Sequence, residues 1–288
     1  MVTKLIKARK NPEENILGAN ITSNPSVIFP SVSNPLRFPV DNAKDIDALL
    51  KSASNTSLDF TPSHILVPVD STFKDMLGNW DLTSTGGDAT KTDHAIKSVR
   101  NSTNAWVASA NSKYQFGTSN FAFLMITRFS AKGSGGYFIS NLKGPDATDP
   151  YAPGGPFGQD KGYGLSMNAD GGMGFGIYGA GGYTNADTAN GTIDHSDNVW
   201  RAYAWGYSQD SSIAYLSSSS YNIAFAGAIG NTSNTDAIFG TRCDYYGASQ
   251  SNADHETALL CVFIGDAAQN IYLQRSNFLS NVQKLIGS

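Results

Sequence analysis

Aromatic rings set beside short carboxyl and amide side chains are the chemistry this chain offers most plainly. The segment 141–162, NLKGPDATDPYAPGGPFGQDKG, presents Tyr151 and Phe157, and the segment 180–198, AGGYTNADTANGTIDHSDN, presents Tyr183, Asp187 and His195. Aromatic faces stack on the C–H faces of pyranose rings, while carboxyl and amide groups take the hydroxyls. These five residues are therefore the candidate glycan platform, carried on long loops. Turn formation alone accounts for the same composition, so the segments read equally well as ordinary loops.

Bond-breaking chemistry has weaker support. Glycoside hydrolysis by a retaining route needs two carboxyl groups about 5–5.5 Å apart, yet the only glutamates are Glu13, Glu14 and Glu256. Asp146, Asp149, Asp160, Asp187, Asp194 and Asp197 fall in loop-like stretches, where aspartate usually shapes turns. An aspartate pair is the one hydrolytic route left open. The Asp254-His255-Glu256 triplet reads as a solvated loop ahead of the last apolar strand. No His-x-x-x-His or Cys-x-x-Cys spacing points to zinc. The glycine-rich run GGMGFGIYGAGG sits in a hairpin with no helix behind it, so it is not a nucleotide loop. No catalytic residue and no cofactor are expected. Calcium stays open because loop Asp and Asn oxygens abound, although the Asp-x-Asp-x-Asp-Gly pattern is missing.

Composition narrows the partners. A net charge of −4, only 15% charged residues and no basic patch argue against nucleic acid. No run of about 18 apolar residues exists, so no membrane insertion is expected. The opening MVTKLIKARK is basic, but no apolar core of a secretory signal follows, which implies a protein made in the cytoplasm without a signal peptide. Cys243 and Cys261 read as two buried free thiols in preference to a disulfide, since no dense cysteine framework accompanies them.

Residues 1–59 read as an extended arm ending in a short helix. Pro12, Pro25, Pro30, Pro35 and Pro39 punctuate it, blocking helix and central-strand pairing. Its apolar islands at 27–29 and 36–38 must lie on the rest of the chain or on a neighbouring subunit. Over 41–51, Ala43, Ile46, Leu49 and Leu50 share a helical face and Asp41 can cap the start. Strand patterns follow from residue 60 to 275. In FAFLMITRF, Phe121, Phe123, Met125, Thr127 and Phe129 alternate with Ala122, Leu124, Ile126 and Arg128, so both faces are apolar, as in a strand covered on both sides. The segments 163–168 and 173–179 form a hairpin through Asp170-Gly171. In WRAYAWGYS, Trp200, Ala202, Ala204 and Gly206 oppose Arg201, Tyr203, Trp205 and Tyr207. The last unit, 276–288, reads as a short helix whose Phe278, Leu279, Val282, Leu285 and Ile286 make an apolar stripe. The fold class is all-β: an antiparallel sandwich of jelly-roll type with an N-terminal arm and short flanking helices.

Laid end to end, these strands resemble the concanavalin A-like lectin/glucanase superfamily, in particular its laminin G-like branch. The matches are Trp106-Val107, the Phe-rich run 121–129, the hairpin around Asp170-Gly171, Trp200 to Tyr207, Ile238-Phe239-Gly240 and the apolar strand 258–264. They cover roughly residues 60–270. Glucanases of the superfamily carry a Glu-x-Asp-x-Glu strand, and this chain has none, so the resemblance implies binding without catalysis. Arg201 and Ala202 stand where the branch has histidines, and Tyr215-Leu216-Ser217-Ser218 replaces its Tyr-x-Asp-Gly hairpin; both departures weaken a family calcium or ligand site.

The order of arm, weakly charged β domain and apolar C-terminal helix is similar to that of bacteriophage and virus surface proteins. That likeness implies a virion surface protein, a capsid decoration, head fibre or tail appendage. Its arm would engage other virion proteins or exchange within a homo-oligomer such as a trimer, and its sandwich would meet a surface glycan. A free bacterial carbohydrate-binding protein is the alternative.

Overall fold

The computed structural model describes residues 26–29, 36–39, 43–54, 57–78, 80–92, 94–108, 114–133, 137–142, 161–180, 182–187, 194–233, 238–241, 243–245, 248–251 and 253–286. The chain opens with β1 (Ser26–Phe29) and β2 (Leu36–Pro39), followed by helix α1 (Ala43–Ser54). Next come β3 (His64–Val69), β4 (Thr72–Asp75), β5 (Leu82–Ser84), β6 (Thr90–Lys91), β7 (Ile96–Ser98) and β8 (Trp106–Ala108). The middle holds β9 (Phe121–Phe129), β10 (Tyr137–Ser140), β11 (Gly162–Met167), β12 (Met173–Gly179) and β13 (Gly182–Asp187). After these run β14 (Arg201–Ser208), β15 (Ile213–Ser218), β16 (Asn222–Ala226), β17 (Cys243–Tyr245), β18 (Ala248–Gln250), β19 (His255–Ile264) and helix α2 (Asp266–Ile286).

The strands form an antiparallel sandwich. Its larger sheet runs β16-β15-β14-β9-β19-β3-β4-β5-β8, with β7 also pairing β19 and β6 pairing β7; its smaller sheet runs β10-β11-β12-β13. The long central strands set the register: β9 pairs β14 from Phe121↔Tyr207 to Thr127↔Arg201, and β19 from Phe121↔Ile264 to Phe129↔His255.

Because side chains alternate across a strand, the apolar residues of β9 divide between two cores. Phe121, Phe123, Met125 and Phe129 face the smaller sheet and pack with Tyr163, Leu165, Phe175, Ile177 and Trp205. Ala122, Leu124 and Ile126 face the opposite way, onto Ile46 and Leu50 of α1 and Ile271, Phe278, Leu279 and Val282 of α2. The molecule is thus layered as helices, large sheet, small sheet. Covering both faces removes the polar alternation that a one-sided sheet would show, which is why FAFLMITRF is apolar throughout.

Helix α2 begins at Asp266, well ahead of the Ser276 expected from the stripe. Gly265, at φ 66°, turns the chain sharply out of β19, a conformation that costs glycine little. Ala267, Ala268 and Ile271 then continue the buried face N-terminally. Toward its other end, Gln283 accepts the Ala202 N–H at 3.0 Å and donates to the Trp200 carbonyl at 3.1 Å, fixing the start of β14 to the helix.

The apolar islands of the expected arm are strands: β1 and β2 pair with each other, Val27↔Phe38 and Ile28↔Arg37. The expected helix is present as α1, longer by three residues at its C-terminal end than the 41–51 pattern. Cys261 is a buried free thiol, its pKa pushed up by burial; Cys243 lies on β17.

Candidate functional site

The smaller sheet positions the site. In β11 and β12, Tyr163, Leu165, Met167, Met173, Phe175 and Ile177 point into the inner core, so alternation leaves Gly164, Gly174, Gly176 and Tyr178 on the outer face. The register stacks these positions, Gly164 opposite Gly176 and Ser166 opposite Gly174. Tyr137 of β10 lies across that floor. A Cβ on Gly164 would come within 2.6 Å of the Tyr137 ring, and one on Gly176 would run into its hydroxyl. The Tyr137 hydroxyl meets the Tyr178 hydroxyl at 2.8 Å. Glycine is needed here for the close approach of the Tyr137 side chain.

Strand β13 extends the same face. Its register sets Tyr183 opposite Tyr178, Asn185 opposite Gly176 and Asp187 opposite Gly174. The sequence pattern treats 180–198 as one loop, and the strand within it is a correction: six residues pair with β12, from Gly179↔Gly182 to Gly174↔Asp187. Tyr183 and Asp187 thereby share the face that carries Tyr178, Tyr183 directly opposite it and Asp187 two same-face positions along. Tyr151 and Phe157 lie outside the described residues. Tyr137 and Tyr178 were missed from the sequence; the signal was the run of alternating glycines around them.

His195 does not belong to this face. Its ring has no exposed surface. Nδ1 stands 3.1 Å from the Tyr203 hydroxyl and the ring packs edge-on to Tyr221 at 5.2 Å. Burial, reinforced by the Arg201 guanidinium, lowers its pKa to about 4. Two aspartates fold the segment inward: Asp194 accepts the Ser196 N–H at 2.9 Å and Asp197 the Val199 N–H at 3.2 Å. A run that reads as polar loop, DHSDN, thus drives its histidine into the core.

His255 also departs from expectation. It opens β19 and is 2% exposed, rather than standing in a solvated loop. Nδ1 donates to the Ala253 carbonyl at 3.1 Å, the ring packs against Phe138, and burial takes its pKa to about 4. Glu256 points elsewhere, to Arg128 at 2.9 Å. The triplet therefore brings no acid and base together.

A third cluster left no trace in the sequence. The β3–β4 hairpin brings His64 Nδ1 within 2.7 Å of the buried Asp75 carboxylate, and the imidazole stacks on Trp80 at 3.8 Å. Asp75 also accepts the N–H groups of Ile65, Leu77 and Trp80. Burial alone would raise this carboxyl, but the His64 and backbone hydrogen bonds outweigh it and hold the pKa below the usual carboxylate range. With carboxylate only accepting, the Nδ1–H is the donor. Through these bonds the pair organises the turn after β4.

Among the described residues no group of three or more His, Cys, Asp or Glu could hold a metal, and no helix is long and apolar enough to cross a membrane. No family model and no curated protein matches the sequence.

Solved structures do resemble it. The binding domain of Paraclostridial Mosquitocidal Protein 1 is 13% identical, with 76% of this chain aligned to 55% of that one at a TM-score of 0.48. The sialidase of Trypanosoma rangeli in complex with the inhibitor DANA is 14% identical over 83% of this chain and 37% of its own, TM-score 0.49. The CBM40 of the Ruminococcus gnavus IT-sialidase, bound to α2,3-sialyllactose, is 10% identical over 65% of this chain and the whole of that one, TM-score 0.43. The chain spans about half of the toxin domain and under two fifths of the sialidase. The class assignment, an antiparallel β-sandwich with a helical layer, stands on the strand pairing itself.

Proposed function

We propose that the protein is a non-enzymatic adhesion module that holds a glycan on the outer face of the smaller sheet. One observation carries the reading: the Tyr137 side chain crosses the glycine floor, its ring against Gly164 and its hydroxyl against Gly176, and bonds to Tyr178, with Tyr183 and Asp187 at adjoining register positions. A half-buried tyrosine ring held against a sheet face suits stacking on a pyranose, and Tyr178, itself buried, fixes that ring in place. Binding of the full chain to a panel of bacterial surface polysaccharides and soluble glycans, with calcium and with chelator, tests it. Saturable binding without shortening of the polymer is expected, weakened at least tenfold by Tyr137→Ala with thermal stability little changed. Silence across the panel, or equal binding by the variant, would remove the site. Shortened polymer would remove the non-enzymatic part.

The proposal extends to placement. We assign the module to the surface of a particle, a bacteriophage virion, docked through the segment that ends in the β1–β2 hairpin and assembled as a homo-oligomer. The support is organisation: short strands between prolines, set ahead of α1 and apart from the two large sheets. Deleting residues 1–40 should abolish incorporation into particles while leaving the far-ultraviolet circular dichroism of the sandwich unchanged. Normal incorporation of the shortened chain would count against it.

A further inference from the structure

The segment 194–200 closes one end of the inner core. It crosses the tip of the β11–β12 hairpin, where the His195 N–H donates to the Gly171 carbonyl at 3.1 Å, and reaches the end of β9, where the Asn198 N–H donates to the Phe129 carbonyl at 2.9 Å. The backbone of this strap therefore ties one sheet to the other. Its buried side chain is His195. Among the described residues, neither Nε2 of that ring nor the Tyr221 hydroxyl beside it has a hydrogen-bond partner. An imidazolium donates from both nitrogens, so a charged His195 would bury a donor with no acceptor, at a cost that an opened, hydrated strap would not carry.

A second histidine stands at the same end. His255 lies opposite Phe129 in the β9–β19 register and packs between Phe129, at 6.0 Å, and Phe138, at 5.0 Å. Its Nδ1–H is committed to Ala253, so a second proton must enter on Nε2, in a ring enclosed by aromatic side chains.

The surrounding carboxylates offset the burial of either ring only in part. Facing His195 are Arg201 and Tyr203 of β14, Tyr221 between β15 and β16, and Asp194 and Asp197 of the strap itself. Asp197 is already paired with Arg201, and Asp194 with Lys132 of the β9–β10 connection at 3.3 Å. Asp170, in the hairpin turn, accepts the Gly172 N–H. Around His255, Glu256 is held by Arg128 and stands opposite Lys97 of β7, and Asp254 accepts the Arg100 N–H.

We propose that the fold contains an acid-triggered opening: protonation of His195 and His255 releases the 194–200 strap and parts this end of the two sheets, while the other end stays closed. The other end holds Phe116, Phe121, Tyr163 and Trp80, and its histidine, His64, is hydrogen-bonded to the Asp75 carboxylate. Both strap-end rings have folded pKa values lowered to about 4. The strap is therefore intact at neutrality, and its hold is lost progressively as the pH falls from about 6.5 toward 4.

Hydrogen-exchange mass spectrometry of the full chain at pH 7, 5.5 and 4.5, each rate divided by the intrinsic rate at that pH, tests the proposal. Protection of peptides covering 194–200 and 168–174 should fall tenfold or more by pH 4.5, while β3, β4 and α2 keep theirs. The double variant His195→Gln with His255→Phe should keep strap protection at pH 4.5. Should that variant fail to fold, imidazole NMR titration of the natural chain decides: both midpoints should lie below 5 and coincide with strap release. Unchanged strap protection, simultaneous loss in every peptide, or midpoints near 6.5 would each overturn it.

Discussion

At the residue scale, Gly176 and Tyr137 are expected to be energetically coupled. An alanine at Gly176 would collide with the Tyr137 hydroxyl and should destabilise by about 1–3 kcal/mol, the usual range for overpacking. In a Tyr137→Ala background the same change should cost little, which a double-mutant cycle in urea would show. Additive costs would mean that the ring does not need the glycine floor. Asp75→Asn removes the acceptor charge shared by His64 and three backbone N–H groups and should cost about 3 kcal/mol or more, read from the denaturation midpoint. Single residues were the least legible level of this sequence. Tyr183 and Asp187 were singled out because their types suit sugars, and the register sets both on one face of β13. His195 was found for the same reason and is buried, because the side-chain hydrogen bonds of Asp194 and Asp197 turn the backbone inward. Asp75 and His64 carry no motif at all; only the hairpin between them makes a pair.

At the element scale, alternation was a reliable guide wherever both faces of a strand are buried. β9 and β14 show their two faces directly in sequence, and each face meets the core that its residues imply. The start of α2 was not legible, since Asn270, Gln274, Arg275 and Ser276 break the apolar stripe that a shorter window detects. The early turns nevertheless bury Ile271 completely. Ile271→Ala should therefore cost about 2–5 kcal/mol, as for a core position, measured by thermal or chemical unfolding. A cost under about 0.5 kcal/mol, typical of an exposed site, would restore the shorter helix. β13 was hidden because GYTNAD is polar and lies at a sheet edge, where one-sided pairing imposes little hydrophobic pattern.

At the scale of the whole molecule, acid is expected to erode stability through the histidines before it reaches the carboxylates. A histidine with an unfolded pKa near 6.5 and a folded value of about 4 favours unfolding increasingly as the pH falls between those values, by about 3 kcal/mol when complete. Asp75 acts in the same direction but later, since its lowered pKa places its loss below the ordinary aspartate range. Urea midpoints should therefore drop between pH 6.5 and 4.5 in the natural chain and by about half as much in His255→Phe, where His195 alone still titrates. Equal slopes in the two proteins would show that His255 titrates without penalty. The layered arrangement has a further thermodynamic consequence. The backbones of β9, β14 and β19 each serve both cores, so the helical layer cannot detach at neutral pH without stripping one face from strands whose other face is still packed. Heat should then find no intermediate to populate: calorimetric and van't Hoff enthalpies should agree across a single peak, and the two layers would share one melting temperature.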